Sequence, residues 1–235
     1  MTGPSVFIEN AGQWADDSIR FALDGMGANV GLTADGPRFQ LFQPTAKAAV
    51  DSDPHAVAAG NDAPDSAAPQ ASEMREFALH FDGAAAVPPV GRGRSDRVFN
   101  YMLGDVATHR ENVGSFDAVW YENLWPGVSL ELTGKRTGLK YNFHVAPGAD
   151  PKAIRLRYEG IAGVSVRDDA ALEIRVADGW QPLADGKPYI YQETGGEKKT
   201  VAGRFVAMDA MTYGFEVTGA YDASLPLVID PEIAW

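Results

Sequence analysis

The segment LKYNFHVAPGADPKAIRLRYEG, at residues 139–160, contains two runs in which apolar and polar residues alternate. Alternation with a period of two is typical of a strand that buries one face and exposes the other. Pro and Gly residues between the runs supply the backbone angles that a turn requires. We therefore predict two strands separated by a turn. Their predicted core-facing side chains are Leu139, Tyr141, Phe143, Val145, Ile154, Leu156 and Tyr158.

The same alternation continues outward in both directions, and helical periodicity is nearly absent. Further strands are predicted near residues 37–43, 75–82 and 128–133. With 25 Gly and 15 Pro, turns follow one another closely and leave little room for crossover helices. Antiparallel pairing is therefore favoured. The predicted fold class is all-β, an antiparallel β-sandwich-like arrangement or a pair of packed β lobes.

The chain is long enough for one large domain or two modest ones. We place an N-terminal β lobe at residues 1–132 and a C-terminal β lobe at 133–235, with one continuous domain as the alternative. Residues 44–72 are rich in Ala, Asp, Pro and Ser and contain no aromatic residue. Such a segment cannot bury much apolar surface, so we predict a mobile low-complexity loop there, with a short helix as the alternative.

The formal net charge is -12, and residues 1–90 carry 12 Asp and Glu against 4 Lys and Arg. The electrostatic field of this net negative charge repels nucleic acid and anionic lipid, so we expect no nucleic-acid partner. A basic ligand would favour the N-terminal part of the chain.

There is no Cys, which excludes disulfides, thiolate metal sites and cysteine nucleophiles. No apolar run reaches the roughly 18 residues of a membrane span. We therefore expect no membrane insertion. The start of the chain, MTGPSVFIENAGQ, lacks the basic and apolar regions of a signal peptide.

Residues suited to catalysis or metal binding are scattered. The four His residues form no HxH or HExxH pair. Asp pairs are typical of solvated turns, with calcium ligation as the alternative. A hydrolase or metal-dependent enzyme remains an alternative function, but we assign no catalytic residue, no metal ligand and no cofactor. The carboxylates available for a hydrolase are Glu122, Glu131, Glu159 and Glu173.

Aromatic residues are dense between Phe99 and Trp125. Most such rings belong to a core, whereas exposed rings stack on sugars or anchor protein partners. Alternation places Trp120 and Tyr121 on opposite sides of one strand. As candidate ligand-binding residues of a carbohydrate-binding module we select Tyr121, Trp125 and Trp180. That function predicts a shallow groove with coplanar exposed rings.

Six blocks of sequence occur in an order that resembles a bacterial domain of unknown function, one that precedes SBBP-type β-propeller repeats in large secreted or surface proteins. The blocks are FIENAGQ (7–13), NYMLGD (100–105), RENVGSFDAVWYENLWPGVSLEL (110–132), LKYNFHVAPGADPKAIRLRYEG (139–160), KPYIYQE (187–193) and PLVIDP (226–231). The resemblance implies an exported β-rich module without assigned catalytic residues. We therefore expect an extracellular or cell-surface location and a noncatalytic structural or interaction role. The expected partners are other domains of a larger surface protein or separate proteins, with a glycan as the alternative.

Overall fold

The computed structural model describes residues 5–44, 72–102 and 104–235. In these residues the chain forms 21 strands and no α-helix, with two 3-10 turns at Val106–Thr108 and Pro151–Ala153. The first eleven strands are β1 (Phe7–Glu9), β2 (Phe21–Asp24), β3 (Ala28–Thr33), β4 (Gly36–Pro44), β5 (Ser72–Phe81), β6 (Val90–Arg94), β7 (Phe99–Tyr101), β8 (Arg110–Val113), β9 (Ser115–Trp125), β10 (Val128–Lys135) and β11 (Gly138–Val145). The remaining strands are β12 (Arg155–Glu159), β13 (Gly163–Val166), β14 (Leu172–Arg175), β15 (Leu183–Asp185), β16 (Tyr189–Thr194), β17 (Glu197–Val201), β18 (Gly203–Ala207), β19 (Thr212–Val217), β20 (Leu227–Asp230) and β21 (Glu232–Ala234).

Nearly all of these strands belong to one large antiparallel sheet that almost closes into a barrel. One branch runs in the order β9, β1, β2, β3, β4, β5, β12, β19 and β18. The other branch runs from β9 through β10 to β11, and then divides between β20 and β21. The all-β, antiparallel prediction is confirmed. The sandwich-like arrangement is not confirmed, because hydrogen bonds between neighbouring strands join them into one large sheet.

The two strands predicted in residues 139–160 form as expected, with the expected faces buried. They do not pair with each other, as the strands of a hairpin would. Strand β11 pairs with β10, β20 and β21, whereas β12 pairs with β5 and β19. Between them, the Asp150 side chain caps the second 3-10 turn by accepting a hydrogen bond from the Lys152 N–H at 2.9 Å. The segment therefore crosses from one branch of the sheet to the other.

The predicted lobe boundary between residues 132 and 133 falls inside strand β10, which continues to Lys135. Strands from the two sides of this boundary also pair, since β5 bonds to β12. The division into two lobes stays a prediction, as does the alternative of one continuous domain. The predicted loop over residues 44–72 lies mostly outside the described residues, although its two ends, Pro44 and Ser72, stand opposite each other in the β4–β5 pair.

A small polar cluster interrupts the apolar core. The Tyr141 hydroxyl donates a hydrogen bond to the Asp185 carboxylate and lies 3.2 Å from the Tyr213 hydroxyl. The backbone N–H of Glu232 donates to the other Asp185 oxygen at 3.0 Å. The Asp185 side chain is fully buried, and this burial raises the pKa of its carboxyl to about 7. Strand β15, which carries Asp185, pairs with β21. Through Tyr213 the cluster therefore links β11, β15 and β21 to strand β19 of the other branch.

Candidate functional site

A concave groove lies on the outer face of strands β2 to β5, and we call it the β2–β5 groove. Its cavity volume is about 510 Å³. The outward-facing side chains of the four strands form its floor, and the loop of residues 10–20 forms one wall. Cavities of this volume that combine apolar and polar side chains are the default location for a ligand.

One row of polar side chains crosses the floor of the groove. Asp24 stands opposite Asn29, Asn29 opposite Gln40, and Gln40 opposite Glu76 in the strand register. Side chains at paired positions project from the same face of the sheet and lie next to one another. The Gln40 amide donates to Glu76 at 2.7 Å. The row therefore presents carboxylate, amide, amide and carboxylate groups in sequence across four strands.

The neighbouring row gives the groove its depth. Ala22 stands opposite Gly31, and Arg38 lies between Gly31 and Ala78. Ala22, Gly31 and Ala78 project little from the backbone of the sheet. Ile19 from the wall reaches over this row, since a Cβ atom at Gly31 would lie only 3.0 Å from the Ile19 Cδ1. Small floor residues and an overhanging apolar side chain thus shape a hollow on an otherwise polar face.

The FIENAGQ block builds the wall. The Asn10 side-chain amide donates to the Ile19 carbonyl at 2.8 Å and thereby closes the loop across its base. The Gln13 amide donates to the Glu9 carbonyl at 2.7 Å, and the Gly12 N–H donates to the Asn10 Oδ1 at 2.9 Å. Gly12 has a φ of 93°, a conformation that favours glycine. Amide side chains in this block therefore hold a tight loop directly before Trp14.

Two further contacts fix the wall against the rest of the molecule. Arg110, the first residue of the RENVG block, donates through its Nε to the Ala11 carbonyl at 2.8 Å. Asp16 forms an ion pair with Arg38 at 2.9 Å, which ties the wall to strand β4. Hydrogen bonds from Ser18 lower the pKa of Asp16, and the Arg38 charge lowers it further. Asp16 is therefore ionised at neutral pH.

Aromatic rings stand at the wall side of the groove. Trp14 lines the groove and is half-buried. Tyr101, from the NYMLGD block, packs against it edge to face, with ring centroids 6.1 Å apart and planes at 79°. Three of the six blocks thus meet at the wall, since Arg110 bonds to Ala11 and Tyr101 packs against Trp14. The two rings are nearly perpendicular, so they do not form the coplanar pair that the carbohydrate-binding prediction required.

Two polar side chains of the floor have no partner. Among the described residues, neither the Asp24 carboxylate nor the Asn29 amide makes a hydrogen bond or an ion pair. Asp24 is solvent-accessible, yet neighbouring groups partly desolvate its carboxyl and raise its pKa. Unpaired groups in a partly desolvated hollow are available to a ligand.

The residues selected from the sequence as ligand contacts lie elsewhere. Tyr121 is fully buried and its hydroxyl donates to the Thr33 carbonyl at 2.8 Å. Trp125 is 3% exposed and its Nε1 donates to the Asp82 carbonyl at 3.0 Å. Trp180 is half-buried and packs against the core. In this structure neither Tyr121 nor Trp125 offers a ring face to a ligand, and none of the three lines the groove.

Trp14, which lines the groove, was missed because it is an isolated aromatic residue in the sequence. Tyr101, which packs against Trp14, lies in the aromatic-rich segment but was not among the residues selected. The available signal was indirect: FIENAGQ is rich in amide side chains and Gly, and Trp14 follows it immediately. Trp120 lies on the opposite side of β9 from the buried Tyr121, as alternation predicts, but its ring is already in contact with other side chains. It stacks on His144 at 4.7 Å between centroids, and the Arg92 guanidinium lies 4.5 Å from its centre.

The carboxylates available for a hydrolase are engaged separately. Glu122 pairs with Arg92, and Glu159 pairs with His80 at 2.9 Å. Glu131 accepts from His144 at 3.0 Å, and the hydrogen bond from His144 lowers the pKa of Glu131. Glu173 lies on β14. In the part of the chain that the structure describes, no group of three or more His, Asp or Glu side chains is arranged to hold a metal ion.

No helix among the described residues has the length and apolar character needed to cross a membrane. No curated protein and no solved structure matches the chain. A family model does match, over residues 7–232, and it covers the groove, the wall and both branches of the sheet. The chain therefore belongs to the family described as domain of unknown function DUF7948.

Proposed function

We propose that this chain is a noncatalytic interaction module of a bacterial secreted or cell-surface protein, and that the β2–β5 groove is its binding surface. The observation that carries the proposal is the unpaired Asp24 and Asn29 side chains beside the half-buried Trp14 ring in a cavity of about 510 Å³. A ring next to polar groups without internal partners supplies both the apolar contact and the directional contacts that a binding site uses.

The construction of the groove supports a binding role over a purely structural one. The wall is held by side-chain hydrogen bonds and by the Asp16–Arg38 ion pair, so the groove exists before a ligand arrives. A preformed site avoids the entropy cost of ordering a loop on binding. The sequence resemblance supports the remaining part of the proposal, an exported module whose partners are other domains of a surface protein or separate proteins.

Carbohydrate binding is the second candidate function. Its proposed site is the groove rather than Tyr121, Trp125 and Trp180. The specific observation is that the floor combines two amides, Asn29 and Gln40, with the single half-exposed ring of Trp14. Amides and carboxylates hydrogen-bond sugar hydroxyls, and one ring is enough to stack on one sugar face. This candidate predicts a site for a short saccharide rather than a long polymer.

We expect Trp14→Ala to weaken ligand binding by about 30-fold, the usual effect of removing a central aromatic anchor. The wild-type chain is screened on a glycan array and on a peptide array, and the affinity of the strongest ligand is measured by calorimetry for each variant. Trp120→Ala is the matched control, because it also removes a ring from the outer face but lies outside the groove.

The proposed function fails if the wild-type chain binds nothing on either array above background. It also fails if Trp14→Ala and Trp120→Ala reduce the affinity equally, because the groove would then have no special part in binding. Circular dichroism of both variants verifies that each remains folded.

A further inference from the structure

We infer that the β2–β5 groove recognises a basic side chain, arginine or lysine, presented by a partner polypeptide. The inference rests on the proposed function, since it takes the groove as the binding surface and specifies the chemistry of what enters it.

The charge of the groove is the first step. Its lining contains four carboxylates and one guanidinium, that of Arg38. These carboxylates belong to Asp16, Asp24, Glu76 and Glu159. Arg38 is paired with Asp16, and Glu159 with His80 at the rim. Glu76 accepts only a neutral amide, and Asp24 has no partner among the described residues. The floor therefore carries negative charge that no described side chain neutralises.

The second step is the position of Asp24 relative to the aromatic rings. Asp24 and Trp14 both line the groove. Burial raises the pKa of Tyr101, and the negative charge of Asp24 raises it further. Tyr101 in turn packs against Trp14. A carboxylate beside aromatic rings favours a cation, which is attracted by both the charge and the ring faces. A neutral ligand gains only the ring contact and ordinary hydrogen bonds.

Elsewhere the molecule combines a ring, a carboxylate and a cation. On the outer face of strands β6 and β9, the Arg92 guanidinium lies 4.5 Å from the centre of the Trp120 ring and pairs with Glu122. In the β2–β5 groove the ring and the carboxylate are present, while the one guanidinium of the lining is held by Asp16. The inferred ligand supplies the missing third component.

The distribution of charge along the chain supports a basic partner. Residues 1–90, which provide most of the groove, carry 12 Asp and Glu against 4 Lys and Arg. A field of this sign accelerates the approach of positively charged partners and discourages acidic ones. A polypeptide is the favoured source of the cation, because a chain lying along the row of amides also satisfies Asn29 and Gln40 with its backbone groups.

The test uses peptide mixtures of random flanking sequence whose central residue is arginine, lysine, citrulline or norleucine. Citrulline keeps the shape of arginine without its charge. We expect the arginine and lysine mixtures to bind the intact chain and the other two to bind at least about tenfold more weakly. Fluorescence anisotropy measures the affinities at low and high salt, and raising the salt should weaken the arginine interaction.

Asp24→Asn is the matching change in the protein, since it removes the charge and preserves the shape. We expect it to weaken arginine-mixture binding about tenfold or more, whereas Asp178→Asn, in an exposed turn outside the groove, leaves the affinity unchanged. Near-ultraviolet circular dichroism verifies that both variants fold.

Two outcomes overturn the inference and leave the proposed function standing. In the first, citrulline peptides or neutral glycans bind as tightly as arginine peptides, with an affinity that Trp14→Ala abolishes. In the second, arginine peptides bind in a Trp14-dependent way but Asp24→Asn has no effect. A wild-type chain that binds no peptide and no glycan overturns both.

Discussion

Replacing Asp185 with asparagine will remove the loss of stability that this carboxyl causes as the pH rises from about 4 to about 7. An aspartate in the unfolded chain loses its proton near pH 3.8, whereas burial raises the pKa of Asp185 in the folded protein to about 7. Between these values the folded protein holds a proton that the unfolded chain has released. The free energy of unfolding therefore falls as the pH rises through this range and levels off above the folded pKa.

The magnitude follows from the distance between the two pKa values. A difference of about three pH units corresponds to roughly 4 kcal/mol, a large share of the stability of an ordinary domain. Asparagine carries no charge at any of these pH values. Its oxygen can accept from the Glu232 N–H, and its amide can donate to the Tyr141 hydroxyl, which then donates to Tyr213. The neutral variant thus keeps the core network and avoids burying a charge.

Urea unfolding of the two proteins between pH 4.5 and pH 8.5 measures the effect, because the difference between their free energies of unfolding isolates Asp185 from other titrating groups. That difference should change by about 3 kcal/mol across the range in favour of the variant. Asp178 lies in an exposed turn. The free energy of unfolding of the control Asp178→Asn should therefore depend on pH in the same way as that of the wild type. If the free energies of unfolding of Asp185→Asn and the wild type changed with pH in the same way, the Asp185 carboxyl would titrate at an ordinary pKa.

The buried face of an individual strand could be predicted because it depends only on the alternation of apolar and polar residues within that strand. Leu139, Tyr141 and Phe143 alternate with polar residues, and all three are buried in the structure. Pairing partners could not be predicted in this way. Strands β11 and β12 bond to different neighbours because a 3-10 turn carries the chain between two branches of the sheet, and the Pro-Gly turn between them looks the same in sequence as a hairpin turn.

The groove escaped prediction for a related reason. Its residues Trp14, Asp24, Gln40 and Glu76 belong to the wall and to three different strands, and only strand register and the folded wall bring them together. Alternation also assigned Trp120 and Tyr121 to opposite sides of β9 without indicating which side the rest of the sheet would cover. The segment dense in aromatic residues supplies mainly core rings, whereas Trp14, the half-exposed ring that lines the groove, has no aromatic neighbour in the sequence.

Trp125→Ala should lower the free energy of unfolding by about 3–5 kcal/mol, the usual cost of deleting a large buried ring. The ring packs between Phe81 and Phe143, with each centroid 6.1 Å away, and its Nε1 donates to the Asp82 carbonyl. Removal leaves a cavity that the barrel-like sheet cannot close, because the neighbouring rings are held on separate strands. Urea unfolding at constant pH measures the loss.

Trp125→Phe separates the two contributions to this effect. It keeps most of the ring and removes the donor, so we expect a loss of about 1–3 kcal/mol from the unpaired Asp82 carbonyl and the smaller volume. Trp14→Ala should show the opposite behaviour, with a large loss of ligand affinity and a loss of stability of roughly 1 kcal/mol. If Trp125→Ala instead kept its stability and lost ligand affinity, Trp125 would be a binding residue and the β2–β5 groove would not be the site.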